Sequence, residues 1–362
     1  MKKIIKNLLF IVNVIIGFFL VISTIAVYLN PNSFPYLALL GISFPIFLIL
    51  ITLLLFYWIF RKKRKFILFN IAILLVTSPF ITDFIQINLS KDDTSNTIKF
   101  MTFNVRQFDY YNWKENIKLR DKYFEYIKSE KPDIVCFQEF FSSKTDKLEN
   151  IELLTKEVLK TDNLHFYPTH TLYKDRLYGI ATFSKYPIIN KGEITFEGSS
   201  NLCIYTDIKI NNDTVRVYNN HLQSIKFQPE DYQFIDSLKL EIDSTKIDEA
   251  KGIVRKLLTG FEIRAKQADV ISEHIANCKY KTIVCGDFND TPISYTYHKM
   301  LGNLKDSFVE AGSGIGNTYN GSFPSFRIDY VFYDDSFECE KYLSPHVDLS
   351  DHFPVISYLK IK

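Results

Sequence analysis

Two long apolar runs near the amino terminus constrain this chain more than any other feature. They cover residues 4–29 and 36–60, and the turn-rich stretch Asn-Pro-Asn-Ser-Phe-Pro separates them. A helix of about 20 apolar residues spans a hydrocarbon core of about 30 Å. Each run is long enough for this, so we expect both to form transmembrane helices. A cleavable signal peptide does not fit the first run, which lacks a small-residue cleavage site and is followed by further apolar segments.

A third apolar run begins at Phe66, contains Pro79 and is soon followed by Asp83. It reaches the length of a transmembrane helix only if it extends to about residue 87. With it, the predicted helices cover residues 4–29, 36–60 and 66–87. We therefore divide the chain into a transmembrane module at 1–89, a polar linker at 90–97 and a soluble domain at 98–362.

Basic residues at the ends of the apolar runs predict their orientation. The first 65 residues contain eight Lys and Arg, at the amino terminus and at 61–65, and no Asp or Glu. Positively charged loops tend to stay in the cytoplasm. Three spans would therefore make this a multi-pass membrane protein with its soluble domain on the extracytoplasmic face. If the third run lies in the membrane interface without crossing, the domain would be cytoplasmic instead.

The rest of the chain carries 35 basic and 41 acidic residues. This mildly acidic balance differs from the strong positive charge of a duplex-binding protein. The five cysteines stand singly, without a Cys-x-x-Cys pair, which argues against both a disulfide framework and a zinc site. The nature of any partner must therefore be inferred from the residues of a site.

Short apolar runs of β type alternate with two amphipathic helical patterns from Ile98 onward. The helical patterns cover residues 113–132 and 251–278. The predicted strands cover residues 98–105, 133–140, 179–188, 202–210, 214–222, 281–288, 327–333 and 353–361. Many strands with few helices favour one α/β domain with two packed sheets. Residues 224–250 are polar and of mixed charge, and we interpret them as a surface insertion.

Polar side chains stand at the ends of several of these strands. The group consists of Asn104, Glu139, His221, Asp287, Asn289, Asp329, Asp351 and His352. A buried carboxylate is costly unless it is paired or bound to a metal. Asp and Glu supply the hard oxygen ligands that Mg²⁺ prefers. The set contains what metal-assisted phosphoester hydrolysis requires, namely metal ligands, a base for water and donors to phosphate.

Each member of this group also has an ordinary structural explanation. Asn104 is typical of a turn cap and Glu139 of an ion pair at a strand end. A single histidine such as His221 is more often a satisfied core group than a catalyst. Asp351-His352 fits a turn before the last strand. Their joint occurrence at strand ends nevertheless favours a shared site.

Seven sequence elements resemble the endonuclease/exonuclease/phosphatase superfamily. They are TFNV, PDIVCFQE, YGIATFSKYPI, YNNHLQS, VCGDFND, RIDYVF and SDHFPV. This superfamily includes deoxyribonucleases, abasic-site endonucleases, sphingomyelinases and inositol-polyphosphate phosphatases. The resemblance spans about residues 98–362 and implies a four-layer α/β sandwich, with two β-sheets packed face to face and helices outside. It also implies a Mg²⁺-dependent phosphoesterase site, with Mn²⁺ as an alternative ion.

The resemblance further implies how the metal and the water would be handled. Glu139 looks like the principal metal carboxylate, with Asn104 beside it and Asp351 as a further metal-site carboxylate. Asp287 matches the residue that orients or deprotonates the attacking water. Asn289 matches the amide that holds the phosphate. The sequence leaves open whether one metal ion or two would act.

The remaining matches concern phosphate and the substrate. Asp329 resembles the carboxylate that pairs with the terminal histidine, here His352, and favours its charged form. His221 looks like a phosphate-contacting or acid-side group, although Asn220 departs from the threonine that is commoner before it. Arg176 precedes the strand at 179–188 and is a candidate substrate contact.

Three functions remain open at this point. The first is a membrane-anchored phosphodiesterase of nuclease type acting on nucleic acid, which we take as the leading expectation. The second is an enzyme for a phospholipid, inositol phosphate or other small phosphoester, for which tethering would raise the local substrate concentration. The third is a non-catalytic tethered binding domain, which an intact set of polar groups disfavours. The expected partners are a phosphoester substrate and the lipid bilayer, and no protein partner is inferred.

Overall fold

A computed structural model of the protein describes most of the chain. The described residues are 2–89, 93–110, 118–143, 149–172, 175–225, 227–228, 230–231, 233–234, 244–321 and 326–362. Parts of the expected linker at 90–97 and of the expected insertion at 224–250 therefore lie outside the described residues.

The amino-terminal region is helical. Its helices are α1 (Lys2–Ile25), α2 (Pro35–Ile42), α3 (Phe44–Phe60) and α4 (Arg64–Thr82), and a 3₁₀ turn covers Ala26–Tyr28. Lys6–Tyr28 and Arg64–Thr82 are each long and apolar enough to cross a membrane. α2 and α3 meet the same criterion only as a pair, with a bend of 51° between them. The described residues thus contain two candidate spans, or three if the bent pair is one span.

Proline explains the bend between α2 and α3. Pro45 lies in the first turn of α3 and has no N–H to donate to the preceding turn. The side chain of Ser43 instead donates to the Leu39 carbonyl at 2.8 Å. The expected single helix over 36–60 is therefore two helices.

α4 ends at Thr82, five residues before the expected bound at 87. Gln86–Ile87 instead form strand β1, which pairs with β11 (Ser313–Gly314) of the soluble domain. The long helices also contact one another through buried polar groups. Asn13 lies between Asn70, at 3.1 Å, and the indole N–H of Trp58, at 2.6 Å. Such hydrogen bonds between helices are typical of membrane bundles.

Two six-stranded sheets form the centre of the soluble domain. The first has the strand order β10–β12–β9–β8–β7–β6, with bounds Lys305–Asp306, Asp329–Tyr333, Lys281–Asp287, Asp213–His221, Leu202–Ile210 and Ile188–Thr195. The second has the order β13–β14–β2–β3–β5–β4, with bounds Phe337–Leu343, Val355–Ile361, Ile98–Asn104, Ile134–Ser143, Arg176–Ser184 and Leu164–Leu172. The pairs β2–β3 and β8–β9 are parallel, and the other pairs are antiparallel.

The layers follow from the apolar faces of the sheets. One buried cluster joins the inner faces of both sheets, for example Phe100 and Cys136 with Val217 and Cys285. The outer face of the second sheet packs against α5 (Lys118–Glu130) and α6 (Asn150–Leu153). The outer face of the first sheet packs against α7 (Ser244–Ala276) and α8 (Tyr295–Leu301), and a short helix α9 covers Ser307–Ala311. The predicted four-layer α/β sandwich is confirmed.

Some predicted bounds differ from the structure for identifiable reasons. The strand expected over 179–188 ends at Ser184, and the next strand begins at Ile188, because the chain bends at Lys185-Tyr186 before Pro187. The helix expected from 251 begins at Ser244, so residues 244–250 of the expected insertion are helical. The start of the helix expected over 113–132 falls on residues 111–117, which lie outside the described residues.

The soluble domain rests on one end of the helical region. Asn30 donates to Asp269 at 3.0 Å, and Asn32 donates to the Glu262 carbonyl at 3.1 Å, so the loop after α1 binds α7. Gly41 of α2 lies so close to Ile293 that an added Cβ would be 2.4 Å from the Ile293 carbonyl oxygen. The basic residues at 61–65 lie at the other end of α3, in the connection to α4 and at the start of α4.

Candidate active site

The predicted polar residues meet at one end of the two sheets. β2 and β9 are inner strands of the two facing sheets, and their last residues, Asn104 and Asp287, meet across the sandwich. Asn104, the last residue of β2, donates through Nδ2 to Asp287 Oδ2 at 3.0 Å and faces Glu139 Oε1 at 3.4 Å. Its amide oxygen accepts the backbone N–H of Arg106 at 3.1 Å. In this arrangement Asn104 links the two sheets and orients two carboxylates.

Glu139 reaches this point through an irregularity in β3. The pairing of β3 with β5 shifts between Phe137 and Phe140, and Glu139 has a φ of 48°. Bulges of this kind redirect a side chain, and a left-handed backbone at a non-glycine residue is typical of functional sites. Enclosure by the surrounding protein raises the pKa of Glu139, and the nearby charge of Asp351 adds to this effect.

Asp287 is the most enclosed carboxylate of the site. Its side chain is 1% exposed. Asn289 donates to Asp287 twice, from its backbone N–H at 2.8 Å and from its side chain at 3.1 Å. Burial raises the pKa of Asp287 to about 6, although the neighbouring His352 opposes the shift. The carboxylate can therefore exist in both protonation states near neutral pH.

The position of Asp287 depends on the glycine before it. Gly286 has a φ of 121°, a conformation that other residues rarely adopt. A Cβ at this position would lie 2.0 Å from the Asn220 carbonyl oxygen of the neighbouring strand. Glycine is therefore required at this point for β9 to deliver Asp287 to the site.

His352 and Asp329 form a buried pair beside Asp287. His352 Nδ1 lies 2.9 Å from Asp329 Oδ2, and His352 Nε2 lies 3.8 Å from Asp287 Oδ2. Thr318 fixes Asp329 by accepting its backbone N–H at 3.0 Å. Burial favours the neutral ring, but the two carboxylates outweigh it and raise the pKa of His352 to about 10. The imidazole is therefore protonated at neutral pH.

His221 lies at the end of β8, between the two acidic residues of the site. Its Nε2 is 3.7 Å from Glu139 Oε1 and 3.9 Å from Asp287 Oδ2. Burial lowers the pKa of His221, although the charge of Asp287 opposes this. The ring is thus disposed to be neutral at pH 7, which suits it as a hydrogen-bonding group better than as an acid.

Asp351 lies on the more open side of the site. Its carboxylate is 30% exposed and lies 3.8 Å from the guanidinium of Arg106. Ser350 donates to the Asn104 carbonyl at 2.9 Å and so ties this turn to the end of β2. Arg106 begins a turn in which four successive residues have positive φ, and Phe108 anchors that turn in the core.

A cavity of about 270 Å³ opens over these residues. Its polar lining includes Glu139, Asp287, Asn289, Asp351 and His352, so five of the predicted residues share one pocket. Its remaining lining comes from the loops after β8 and β9, from residues between β11 and β12, from α7 and from the end of α2.

A family model described as the Endonuclease/Exonuclease/phosphatase family matches residues 101–352. This match covers more than half of the chain. The chain belongs to the endonuclease/exonuclease/phosphatase family. Members of this family are hydrolases that act on phosphoester bonds. A second model, described as a domain of unknown function (DUF8431), matches residues 6–84. Among curated proteins no sequence matches the chain.

Solved structures of the endonuclease/exonuclease/phosphatase type share this fold. One from Beutenbergia cavernae has a TM-score of 0.52 at 17% identity and covers 74% of this chain and 72% of its own. One from Bacteroides thetaiotaomicron has a TM-score of 0.52 at 16% identity and covers 74% and 98%. The human Nocturnin catalytic domain, solved with bound sulfate, has a TM-score of 0.50 at 17% identity and covers 76% and 97%. At these identities the similarity establishes the fold alone.

Enzymes of this family typically use a divalent metal ion, and two groups of residues in this chain are possible ligands. Asp287, Asp329 and His352 have ligand atoms within 4.8 Å of one another. Protonation of His352 and its bond to Asp329 make that group a poor cation site, however. Glu139 and Asp351 fit better, since they are two carboxylates that face one pocket and raise each other's energy when both are charged.

Arg176 is not among the described residues that line the pocket. Its guanidinium lies over the ring of Tyr110, 5.5 Å from the ring centroid. This geometry gives no support to a substrate contact by Arg176.

Sequence reasoning missed several residues of the pocket. Arg264 is buried in an ion pair with Asp290, with Nε 3.1 Å from Oδ2. Tyr319 packs the edge of its ring on His352, with centroids 5.2 Å apart. The sequence does not mark Arg264 as a pocket residue, because it cannot be distinguished from the solvent-exposed charged residues of an amphipathic helix. Arg106 was also missed. It lies beside Asp351 but outside the lining of this pocket, and its place two residues after Asn104 is the one signal that would have identified it.

Proposed function

We propose that this protein is a membrane-anchored, divalent-metal-dependent phosphoesterase that hydrolyses phosphodiester bonds. The arrangement of Asp287 carries the proposal. This carboxylate is buried at the pocket, receives hydrogen bonds from Asn104 and Asn289, and lies 3.8 Å from the ring of His352. Such a group is suited to accept a proton from water beside a fixed positive charge.

The reaction then proceeds by direct attack of water on phosphorus. Asp287 orients the water and takes one of its protons, while the water oxygen forms the new bond to phosphorus. The ester bond opposite the attacking water breaks, and the departing oxygen takes up a proton from solvent. The protonated ring of His352, held by Asp329, stabilises the negative charge that develops on the phosphoryl oxygens. His221 and Asn289 hydrogen-bond the phosphate.

Glu139 and Asp351 would hold the metal ion, and Asn104 would orient Glu139. For Asn104 to bind the ion as well, its amide oxygen would have to turn away from the Arg106 backbone N–H. A bound Mg²⁺ or Mn²⁺ would polarise the phosphate and neutralise part of its charge.

The helical region would anchor the enzyme in the membrane through α1, the bent pair α2–α3, and α4. In this arrangement the module at residues 1–89 holds the catalytic domain at 98–362 on the extracytoplasmic face. Two observations support this. The domain contacts the loop after α1 and the residue after α4, whereas the basic residues at 61–65 lie in the connection between α3 and α4 and at the start of α4.

The test uses the full chain purified in alkyl maltoside micelles, with bis(4-nitrophenyl) phosphate as a general phosphodiester. We expect release of nitrophenolate with Mg²⁺ or Mn²⁺ and none with EDTA. His352→Ala should lower the rate by at least about a hundredfold with an unchanged circular dichroism spectrum. Absence of metal-dependent release by the unmodified protein, across a panel of phosphomonoesters and phosphodiesters, would contradict the proposal.

A further inference from the structure

The pocket over the proposed catalytic residues has one polar and one apolar side. The apolar side consists of Ile42, Ile225, Phe227, Phe261, Phe326 and Ile328. A site for a small, fully hydrated phosphoester has no need of such a wall, because ligand contacts with apolar side chains are favourable only when the ligand itself has apolar surface to bury.

Ile42 connects this wall to the membrane region. It is the last residue of α2, and it follows Gly41, whose close approach to Ile293 presses α2 against the soluble domain. Ile42, Ile225 and Phe227 also pack against a buried cluster formed by Phe261 and its neighbours. One apolar surface therefore includes both a helix of the predicted membrane module and the wall of the pocket.

The apolar surface continues along the bent helix pair. Ile46 and Ile49 of α3 are each 60% exposed, as is Leu53 farther along the same helix. Exposed apolar side chains of this kind are expected where a helix faces the hydrocarbon interior of a bilayer. The pocket wall thus lies a few residues from the surface at which α3 would meet lipid chains.

The charges of the pocket do not favour nucleic acid. Arg264 is already paired with Asp290, and Arg106 lies 3.8 Å from Asp351. The chain after residue 65 has more acidic than basic residues. A nucleic-acid site would need several cations along a groove to hold the phosphate backbone.

We propose that the site acts on a phosphoester of a long hydrocarbon chain, which enters from the bilayer with its chain along Ile42, Ile225 and Phe227. The inference rests on the phosphoesterase function proposed above and adds the substrate class. Ile42 is the specificity-determining residue that the membrane module supplies. A glycerophospholipid, a sphingomyelin and a phosphodiester of a polyprenyl alcohol share this chemistry.

The test compares two model substrates with the same 4-nitrophenyl leaving group, hexadecyl 4-nitrophenyl phosphate and ethyl 4-nitrophenyl phosphate. The full chain is assayed in alkyl maltoside micelles with Mg²⁺. We expect kcat/KM to be at least about tenfold higher for the hexadecyl compound. Ile42→Trp should reduce that ratio at least about fivefold by filling the apolar side of the pocket.

Two further variants make the result specific. Ile225→Trp changes the same wall from within the soluble domain and should reduce the ratio in the same way, which keeps the test valid if Ile42→Trp unfolds. Ile189→Trp is the matched control, because Ile189 is 55% exposed on β6 and does not line the pocket. Ile189→Trp should leave the ratio of the two kcat/KM values unchanged. Partitioning of the long-chain compound into micelles affects this variant and the wall variants alike, so the comparison corrects for it.

The outcomes separate the two proposals. Lack of metal-dependent hydrolysis of either compound would overturn the phosphoesterase function itself. Hydrolysis of both compounds with a ratio that the two wall variants leave unchanged would overturn the hydrocarbon-chain inference alone. Faster cleavage of DNA or RNA than of any long-chain phosphoester would overturn it as well. Micelles that contain a phosphatidylcholine, a sphingomyelin or a phosphodiester of a polyprenyl alcohol then identify the source of the chain.

Discussion

His352 Nδ1 and Asp329 Oδ2 lie 2.9 Å apart in the interior of the site, and strand pairing sets Asp329 directly opposite Asp287. The ring of His352 therefore lies between two carboxylates that belong to neighbouring strands. This relationship explains why a histidine that is only 5% exposed has a raised pKa, although burial alone would lower it.

Asp329→Asn should move the alkaline limit of activity to lower pH. In the unmodified protein His352 stays protonated up to a pKa of about 10, so activity that needs the charged ring falls as the pH rises through that value. Without the Asp329 carboxylate, one of the two charges that oppose burial is lost, so the pKa of His352 falls. Profiles of kcat/KM against pH for both proteins measure this shift. An unchanged alkaline limit would show that Asp329 does not set the charge of His352.

Asp287→Asn should lower kcat by about 10² to 10⁴, because the amide cannot take a proton from water. The folded protein should not lose stability at pH 7. Burial raises the pKa of Asp287 from 3.8 to about 6, so ionisation destabilises the folded state as the pH rises between these values, and the penalty is complete at pH 7 and absent from the variant. Rates and thermal unfolding are compared with those of Asp335→Asn, whose side chain is 82% exposed. Full activity of the Asp287 variant would refute its role as the base.

Glu139→Gln should weaken the apparent affinity for Mg²⁺ by at least about tenfold, because a carboxylate is a much better ligand for this ion than an amide. Activity is titrated against Mg²⁺ for the variant and for Glu193→Gln, an exposed glutamate on β6. The control should keep the original titration curve. Identical curves for both variants would place the metal elsewhere.

Gly41→Ala should destabilise the contact between α2 and the soluble domain. The new methyl group would lie 2.4 Å from the Ile293 carbonyl oxygen, and a backbone atom has little freedom to move. A loss of roughly 1–3 kcal/mol is expected from overpacking of this kind. Gly252→Ala is the matched control, since no heavy atom lies within 4 Å of its added Cβ in α7. That change should raise stability by about 0.5–1 kcal/mol, because alanine favours helix, and thermal unfolding of both variants tests the contrast.

A reporter fused to the carboxyl terminus tests the side of the membrane on which the domain lies. Three crossings predict activity of a reporter that functions only outside the cytoplasm, and silence of one that functions only inside it. The opposite pattern would mean that one of the three segments does not cross. Deletion of residues 64–82 should reverse the pattern, because it removes α4 and leaves an even number of crossings.

Central strands could be predicted from the sequence because both of their faces are buried and their apolar runs are continuous. Among the described strands, the sequence missed β1, β10 and β11, which have two residues each, and the longer strands β4, β6 and β13, each of which forms an edge of a sheet. Edge strands carry charged and polar residues on their open side, such as Asn190-Lys191 on β6 and Glu338 on β13. The apolar pattern of these edge strands is therefore weaker than the continuous apolar runs of the inner strands.

The site was predictable to the extent that its residues stand at the ends of apolar strands. Asp290 could not be assigned, since beside Asn289 it looks like a turn residue, and its partner Arg264 is brought to it only by the packing of α7. The place of Ile42 in the pocket could be predicted even less well than that of Asp290. Ile42 lies in an apolar run that predicts a membrane helix, and no pattern relates it to residues more than 180 positions later. Contacts of this kind arise from tertiary packing alone.

The left-handed backbone conformation of Glu139 lowers the stability of the fold, whereas the carboxylate at the same position is needed for the proposed catalysis. A non-glycine residue in this conformation costs roughly 1–2 kcal/mol, and glycine would relieve that cost but remove the carboxylate. A library of variants selected only for heat resistance should therefore enrich glycine or asparagine at position 139. A library selected only for phosphoester cleavage should retain glutamate, so the difference between the two selections would measure how much stability the chain gives up for its chemistry.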